Sequence, residues 1–297
     1  MGPTAAGKTS LAIELAQRLP CDIISVDSAM IYRGMDIGTA KPTTTELQIT
    51  PHYLIDICDP KEMYSVAQFR EDALKKIEEI FSQGRIPVLV GGTMMYFRIL
   101  QQGISKLPKA DPGIRATIKA KMDRFGLAAL YRQLQKIDPK TAANIHPTDQ
   151  QRIQRALEIY AITGKSLSEL KLAFPPAALP YPTINIAVAP SSRSNLRDKI
   201  KLRFAKMLQL GLIEEVQRLY QRGDLFPALP SIRTVGYRQV WQYLSGEISY
   251  EKMLESVLVA TNHLAKRQLT WLRSWQAIAW FDSDENQLGS KVSNLMK

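Results

Sequence analysis

Gly2-Pro3-Thr4-Ala5-Ala6-Gly7-Lys8-Thr9 has the spacing GxxxxGK[ST], in which each fixed residue has a task in holding phosphate. Gly2 and Gly7 free the backbone to turn its N–H groups inward. Lys8 adds a point charge, Thr9 offers a hydroxyl to Mg²⁺, and the N-terminus of the following helix contributes its dipole. The motif points to a diphosphate or triphosphate ligand without saying which. Asp27 ends an apolar stretch that reads as a strand beside this loop, in the crevice where open α/β sheets bind ligands. There it could accept a proton, ligate Mg²⁺ or cap a helix. Gly91-Gly92 with Thr93, at the end of another strand-like run, reads either as a second backbone approach to that crevice or as a plain turn.

Three further clusters suit an anionic polymer. Gln151 and Arg152 with Arg155 place two guanidinium groups at i, i+3 on one helix face. Arg233 and Arg238 flank Gly236 and Tyr237, and Lys266, Arg267 and Arg273 interleave with Trp271 and Trp275. Taken singly, each is also what a solvated helix face looks like. Their placement argues for more. Residues 1–110 hold 12 Lys/Arg against 12 Asp/Glu, and residues 111–297 hold 27 against 16, so the whole formal charge of +11 lies in the later part. A surface of that kind gains by releasing the counterions of a nucleic acid.

The elements that must position these groups alternate. Leu11, Ala12, Leu15 and Leu19 recur at helical spacing until Pro20. Asp22–Val26 and Ile86–Val90 are short, β-branched and apolar, with a helix across 65–82 between them. This predicts an α/β fold, a P-loop NTPase-like parallel sheet flanked by helices. From Leu107 the text turns to basic, helix-period stretches and ends in Pro175-Pro176, Pro180 and Pro182, the pattern of an inserted all-helical lobe. The expected organisation is therefore a core over 1–106, a lobe over 107–182, and core completion over 183–297. That last part begins with the strand-like Ile184–Val188 and continues in amphipathic helices over about 196–210, 213–222 and 250–272. The motif opens at residue 2, so the strand that normally precedes a P-loop is missing; either the natural start lies upstream or the sheet does without it.

Composition removes other classes. No run approaches the roughly 20 apolar residues of a membrane span. Cys21 and Cys58 lack CxxC spacing and read as small buried hydrophobes, and His52, His146 and His263 make no metal-ligand set. With no leader before the motif, a cytoplasmic setting is expected, and a monomer.

Together these residues resemble the bacterial tRNA dimethylallyltransferase (tRNA isopentenyltransferase) family. The resemblance runs from Gly2–Thr9 through Ser25–Pro42, Val90–Thr93, Asp149–Arg155, Ala189–Arg193, Leu229–Arg238 and Lys266–Arg273, nearly end to end. It implies transfer of a dimethylallyl group from dimethylallyl diphosphate to N6 of the adenosine 3′ of the anticodon, in tRNAs reading codons that begin with U. It further implies that Asp27 is the general base, that Gly2 and Thr4, Ala5, Ala6, Gly7, Lys8 and Thr9 cradle the diphosphate with Mg²⁺ on Thr9, and that Arg203 clamps it. The tRNA anticodon stem-loop would meet Asp27, Ser28, Ala29, Met30, Thr93 and Arg115. It would also meet Gln151, Arg152, Arg155, Arg233, Gly236, Tyr237, Arg238, Lys266, Arg267 and Arg273. The P-loop and Asp27 alone would serve equally a small-molecule kinase or a non-catalytic RNA-binding NTP switch. Against the kinase stand the lopsided charge and the large helical insert.

Overall fold

The computed structural model describes Met1–Met296 in two compact units, one formed by Met1–Leu100 with the chain from Tyr181 onward, the other by Gln101–Pro180. The change of unit thus falls at Gln101 and Tyr181, against the expected 107 and 183.

The first unit opens with α1 (Lys8–Arg18) and β1 (Cys21–Val26), then α2 (Thr44–Ile49), β2 (His52–Tyr53), α3 (Val66–Ser82), β3 (Ile86–Gly91) and the start of α4 (Met94–Gln102). Capping boxes begin α2 at Thr43 with Glu46 and α3 at Ser65 with Gln68, each satisfying two end N–H groups reciprocally. β1 lies between β2 and β3, all parallel, with Cys21 opposite Ile86 and Val26 opposite Gly91. Every residue of β1 is buried, which accounts for its unbroken apolar text around Asp22 and Ser25. Asp22 is tolerated there because Arg85 donates to it from Nε at 2.9 Å.

The second unit is helical: α5 (Pro112–Phe125), α6 (Leu127–Ile137), α7 (Pro139–Ala142), α8 (Gln150–Thr163) and α9 (Leu167–Ala173). Asp111 caps α5 with Pro112 in its first turn, Asp149 caps α8, and Gly164, at φ 67°, ends it in the left-handed region. Ile118, Leu130, Leu134, Ile153 and Leu157 form its core.

The first unit resumes with β4 (Asn185–Ala189), α10 (Arg193–Gln209), α11 (Leu212–Gln221), α12 (Tyr237–Leu244), α13 (Tyr250–Arg273), β5 (Ile278–Asp282) and α14 (Leu288–Leu295). β4 and β5 pair in parallel as a second sheet. One continuous sheet was expected and two are found; Met1 reaches β4, its ammonium donating to the Ile186 carbonyl and its carbonyl accepting from the Val188 N–H. Leu11, Leu15, Leu19, Cys21, Val188 and Val292 nevertheless join α1, both sheets and α14 in one core. Among the described residues no helix is long and apolar enough to cross a membrane.

Candidate active site

The P-loop of this chain turns on two residues in the left-handed region, Ala5 at φ 61° and Gly7 at φ 73°. Gly7 is the N-cap of α1 and supplies no side-chain bond, which leaves the first N–H groups of the helix open to an anion. Gly2 has a different reason from the one expected. A Cβ there would come within 2.4 Å of the Val188 carbonyl, so glycine is needed for the approach to β4, and Gly2 does not line the cavity. Thr4 also departs from expectation: its N–H donates to Oε1 of Gln268 at 2.8 Å and so is turned away from a phosphate. The cradle that remains is Ala5 to Thr9 with the Thr4 side chain.

These residues line a cavity of about 380 Å³ together with Asp27, Ala29, Met30, Gly92 and Arg203. Lys8 donates to the Pro3 carbonyl at 2.7 Å. Burial, and then the nearby Arg203, push its ammonium down to about 8, while Asp27 works in the opposite direction. Burial likewise lowers Arg203, on α10, with Asp27 again opposing. Two cations and one carboxylate therefore act on one another across the cavity. At Asp27, Oδ1 accepts from the N–H groups of Ala29 (2.8 Å) and Met30 (3.3 Å), and Oδ2 takes part in neither bond. Oδ1 thus holds the turn. Thr93 backs that turn, its Oγ1 accepting from the Ser28 N–H at 3.0 Å. Apolar Phe204, Met207, Leu212 and Val257 also line the cavity.

Thr9 and Asp27 line the same cavity, whereas among the described residues no group of three or more His, Cys, Asp or Glu is placed to hold a metal. That donor set suits Mg²⁺, which keeps several waters and binds through one or two protein oxygens plus phosphate.

The basic residues divide into outward and inward sets. Arg233, Arg238, Lys266, Arg267 and Arg273 are exposed, and Arg98 lies over the Trp271 ring at 5.8 Å beside them. Gln151 and Arg152 are exposed in the helical unit. Arg155 does not join Arg152 at the surface: it binds the fully buried Glu158 at 2.8 Å and the Pro108 carbonyl at 2.5 Å. Arg115 binds the same carboxylate at 2.9 Å. Both were expected at RNA; the structure gives each a further task, since a carboxylate buried in the helical core needs their charge, while 41% of the Arg115 side chain and 31% of that of Arg155 stay exposed. Tyr237 is corrected: it is fully buried and its hydroxyl donates to Glu215 at 2.5 Å, so it has no face for a base. Gly236, next to it, lines the cavity.

Two residues escaped the sequence reading. Glu215 on α11 is buried and accepts from the N–H groups of Asp36 (2.8 Å), Ile37 (2.8 Å) and Gly38 (3.1 Å), fixing a loop whose Gly38, Thr39 and Ala40 line the cavity. Gln268 sits within a run read for its cations. Its phase with buried Ala265 and Leu272 marks it as inward-facing, and that was the available signal.

Residues 30–275 match the family model described as IPP transferase. A tRNA dimethylallyltransferase of Coxiella burnetii (strain RSA 331 / Henzerling II) is 55% identical over 297 residues, covering 100% of this chain and 96% of that protein. The crystal structure of the full-length tRNA isopentenylpyrophosphate transferase from Bacillus halodurans aligns with a TM-score of 0.72 at 39% identity, over 99% of this chain and 93% of that one. A eukaryotic dimethylallyltransferase, solved acting on tRNA, aligns with a TM-score of 0.84 at 27% identity, over 99% of this chain and 76% of that one. A P-loop cradle, an opposed carboxylate and this end-to-end similarity lead to one conclusion: the chain belongs to the IPP transferase family.

Proposed function

We propose that this protein transfers a dimethylallyl group from dimethylallyl diphosphate to N6 of the adenosine 3′ of the anticodon in tRNAs reading codons that begin with U, releasing diphosphate. The observation that carries the reading is the single cavity shared by Lys8, Arg203 and Asp27, which apolar side chains also line. An exocyclic adenine amine is a weak nucleophile because its lone pair is delocalised into the ring. As the C–N bond forms and the allylic C–O bond breaks, Asp27 Oδ2 accepts the N6 proton. Charge growing on the departing diphosphate meets the N–H groups of Ala5 to Thr9, Lys8 and Arg203. Mg²⁺, held through the Thr9 hydroxyl, would supply further neutralisation of that charge when bound. Phe204, Met207, Leu212 and Val257 suit a five-carbon prenyl chain.

A stacked base cannot reach such a cavity, so the adenosine is flipped out; the exposed Arg233, Arg238, Lys266, Arg267 and Arg273 of the first unit, and Arg152 of the helical unit, offer cations to the anticodon stem-loop. Cradle, base and clamp all come from one chain, so the reading needs no second copy. Both cysteines are free, which suits the reducing cytoplasm where we place the reaction. The test is mass spectrometry of nucleosides from tRNA incubated with the protein, Mg²⁺ and dimethylallyl diphosphate. Prenylated adenosine is expected, and phosphoryl transfer from ATP with no prenyl product would overturn the reading in favour of a kinase.

A further inference from the structure

Gln268 is 8% exposed, and both ends of its carboxamide are engaged. Oε1 accepts from the N–H of Thr4 at 2.8 Å, and Nε2 donates to the carbonyl of Gly92 at 2.9 Å. One side chain of α13 therefore ties the first turn of the phosphate cradle to the loop after β3. That loop reaches the base: Thr93 donates from its N–H to the Val26 carbonyl at 3.2 Å and accepts from the Ser28 N–H at 3.0 Å, on either side of Asp27. The hydrogen-bonded path runs from Thr4 through Gln268, Gly92 and Thr93 to the two neighbours of Asp27. Close packing enforces it. A Cβ on Gly92 would stand 2.4 Å from Nε2 of Gln268, whereas the nearest atom of another residue, the Gly2 carbonyl oxygen, lies at an ordinary 3.5 Å. At Gly91 the obstacle is the Val26 backbone, 2.0 Å away, and no side-chain change relieves it.

We propose that Gln268 is a positioning residue for the transfer reaction, a strut that sets the separation between the diphosphate cradle and the Asp27 turn. The proposal rests on the transfer reading above. An amide suits the place because it accepts at one end and donates at the other, as the Thr4 N–H and the Gly92 carbonyl require. Preorganised dipoles are effective only where the charge develops, and a displacement of about 1 Å can cost roughly a hundredfold in rate. Holding the Thr4 N–H to one side also fixes the directions of the N–H groups that follow it. On the same helix Lys266 and Arg267 face outward, so the strut and the basic surface are separate faces of α13.

The experiment compares the wild-type protein with Gln268→Met, which keeps the side chain's length and removes both hydrogen bonds, and with Gln268→Glu, which keeps an acceptor for Thr4 and puts a second acceptor against Gly92. Both variants should lose an order of magnitude or more in kcat, with tRNA affinity little changed. An unchanged kcat, or a loss that follows tRNA affinity, would overturn the proposal. Gly92→Ala should slow transfer in the wild-type background and cost much less beside Gln268→Ala, because the clash is with the amide; losses that simply multiply would also overturn it. If the Gln268 variants do not fold, hydrogen exchange on the wild-type protein decides, since Thr4 must be a protected amide; exchange at the rate of a free amide refutes the strut. That measurement and the binding of inorganic diphosphate need no transfer activity. A wild-type protein that fails to prenylate tRNA therefore counts against the reading, and an unprotected Thr4 against the strut.

Discussion

Arg155 donates from Nη1 to the Glu158 carboxylate across 2.8 Å, and Glu158 is wholly buried. Burial alone would raise this carboxyl, but bonds from Arg155, Arg115 and the Asp111 N–H outweigh it and hold the group below the usual glutamate range. Arg155→Ala should destabilise the protein by about 2 kcal/mol, less than for a fully buried pair, because Arg155 is itself 31% exposed and Arg115 remains. A depressed folded pKa stabilises fully above the ordinary glutamate value and is lost as pH falls through the lowered one. Acid unfolding of Arg155→Ala should therefore begin at a higher pH than in the wild type, as followed by circular dichroism. Arg152→Ala, whose partner Asp149 is 3.3 Å away at the surface, should change stability by less than about 1 kcal/mol and instead flatten the salt dependence of tRNA binding.

The proposed mechanism gives Asp27 a second duty beside holding its turn, and one substitution can separate the two. Asn keeps an Oδ1 acceptor for the Ala29 and Met30 N–H groups but cannot take a proton. Asp27→Asn is expected to lose roughly 10²- to 10⁴-fold in kcat with tRNA affinity nearly intact. Parallel single-turnover and tRNA-binding measurements check this, and an equal loss in both would make Asp27 a binding residue.

Lys8, held down to about 8, should be partly neutral just above that pH in the free protein. A bound diphosphate favours the charged form, so binding near pH 8.5 should take up protons, and affinity should fall as pH rises further. Calorimetry in buffers of different ionisation enthalpy reads the uptake directly. The contribution from Lys8 should vanish in Lys8→Met, which also binds the diphosphate more weakly.

Removing Glu215 strands the Asp36, Ile37 and Gly38 N–H groups and the Tyr237 hydroxyl together. Glu215→Ala should cost about 3 kcal/mol in urea unfolding, and Tyr237→Phe about 1 kcal/mol. The first should also raise KM for the prenyl donor, because the loop it holds carries Gly38, Thr39 and Ala40 along the cavity.

The P-loop turn and the place of Asp27 beside it were legible in the sequence because they depend on local chemistry: a glycine turn, a cation and a helix N-terminus in consecutive residues. β1, β3 and β4 were legible because parallel strands under helices are short, largely apolar and β-branched, although only β1 is buried along its whole length. β2, with two residues, is too short for a pattern, whereas β5 carries the apolar run Ile278-Ala279-Trp280-Phe281, a strand signal that escaped the sequence reading. Local spacing also misled. Arg152 and Arg155 lie three apart on one helix, yet one faces solvent and the other a buried carboxylate.

What the amino-acid order settled by itself was the P-loop turn, the alternating architecture and the basic later half, each a property of neighbours or of sums. Only the tertiary structure decided that Gln268 bridges Thr4 to Gly92, that Glu215 grips the 36–38 loop, and that Arg115, Arg155 and Tyr237 serve the interior. These bonds join residues 22 to 264 positions apart or meet a buried carboxylate, and a hydrogen bond depends on distance and direction in space, which no one-dimensional pattern records.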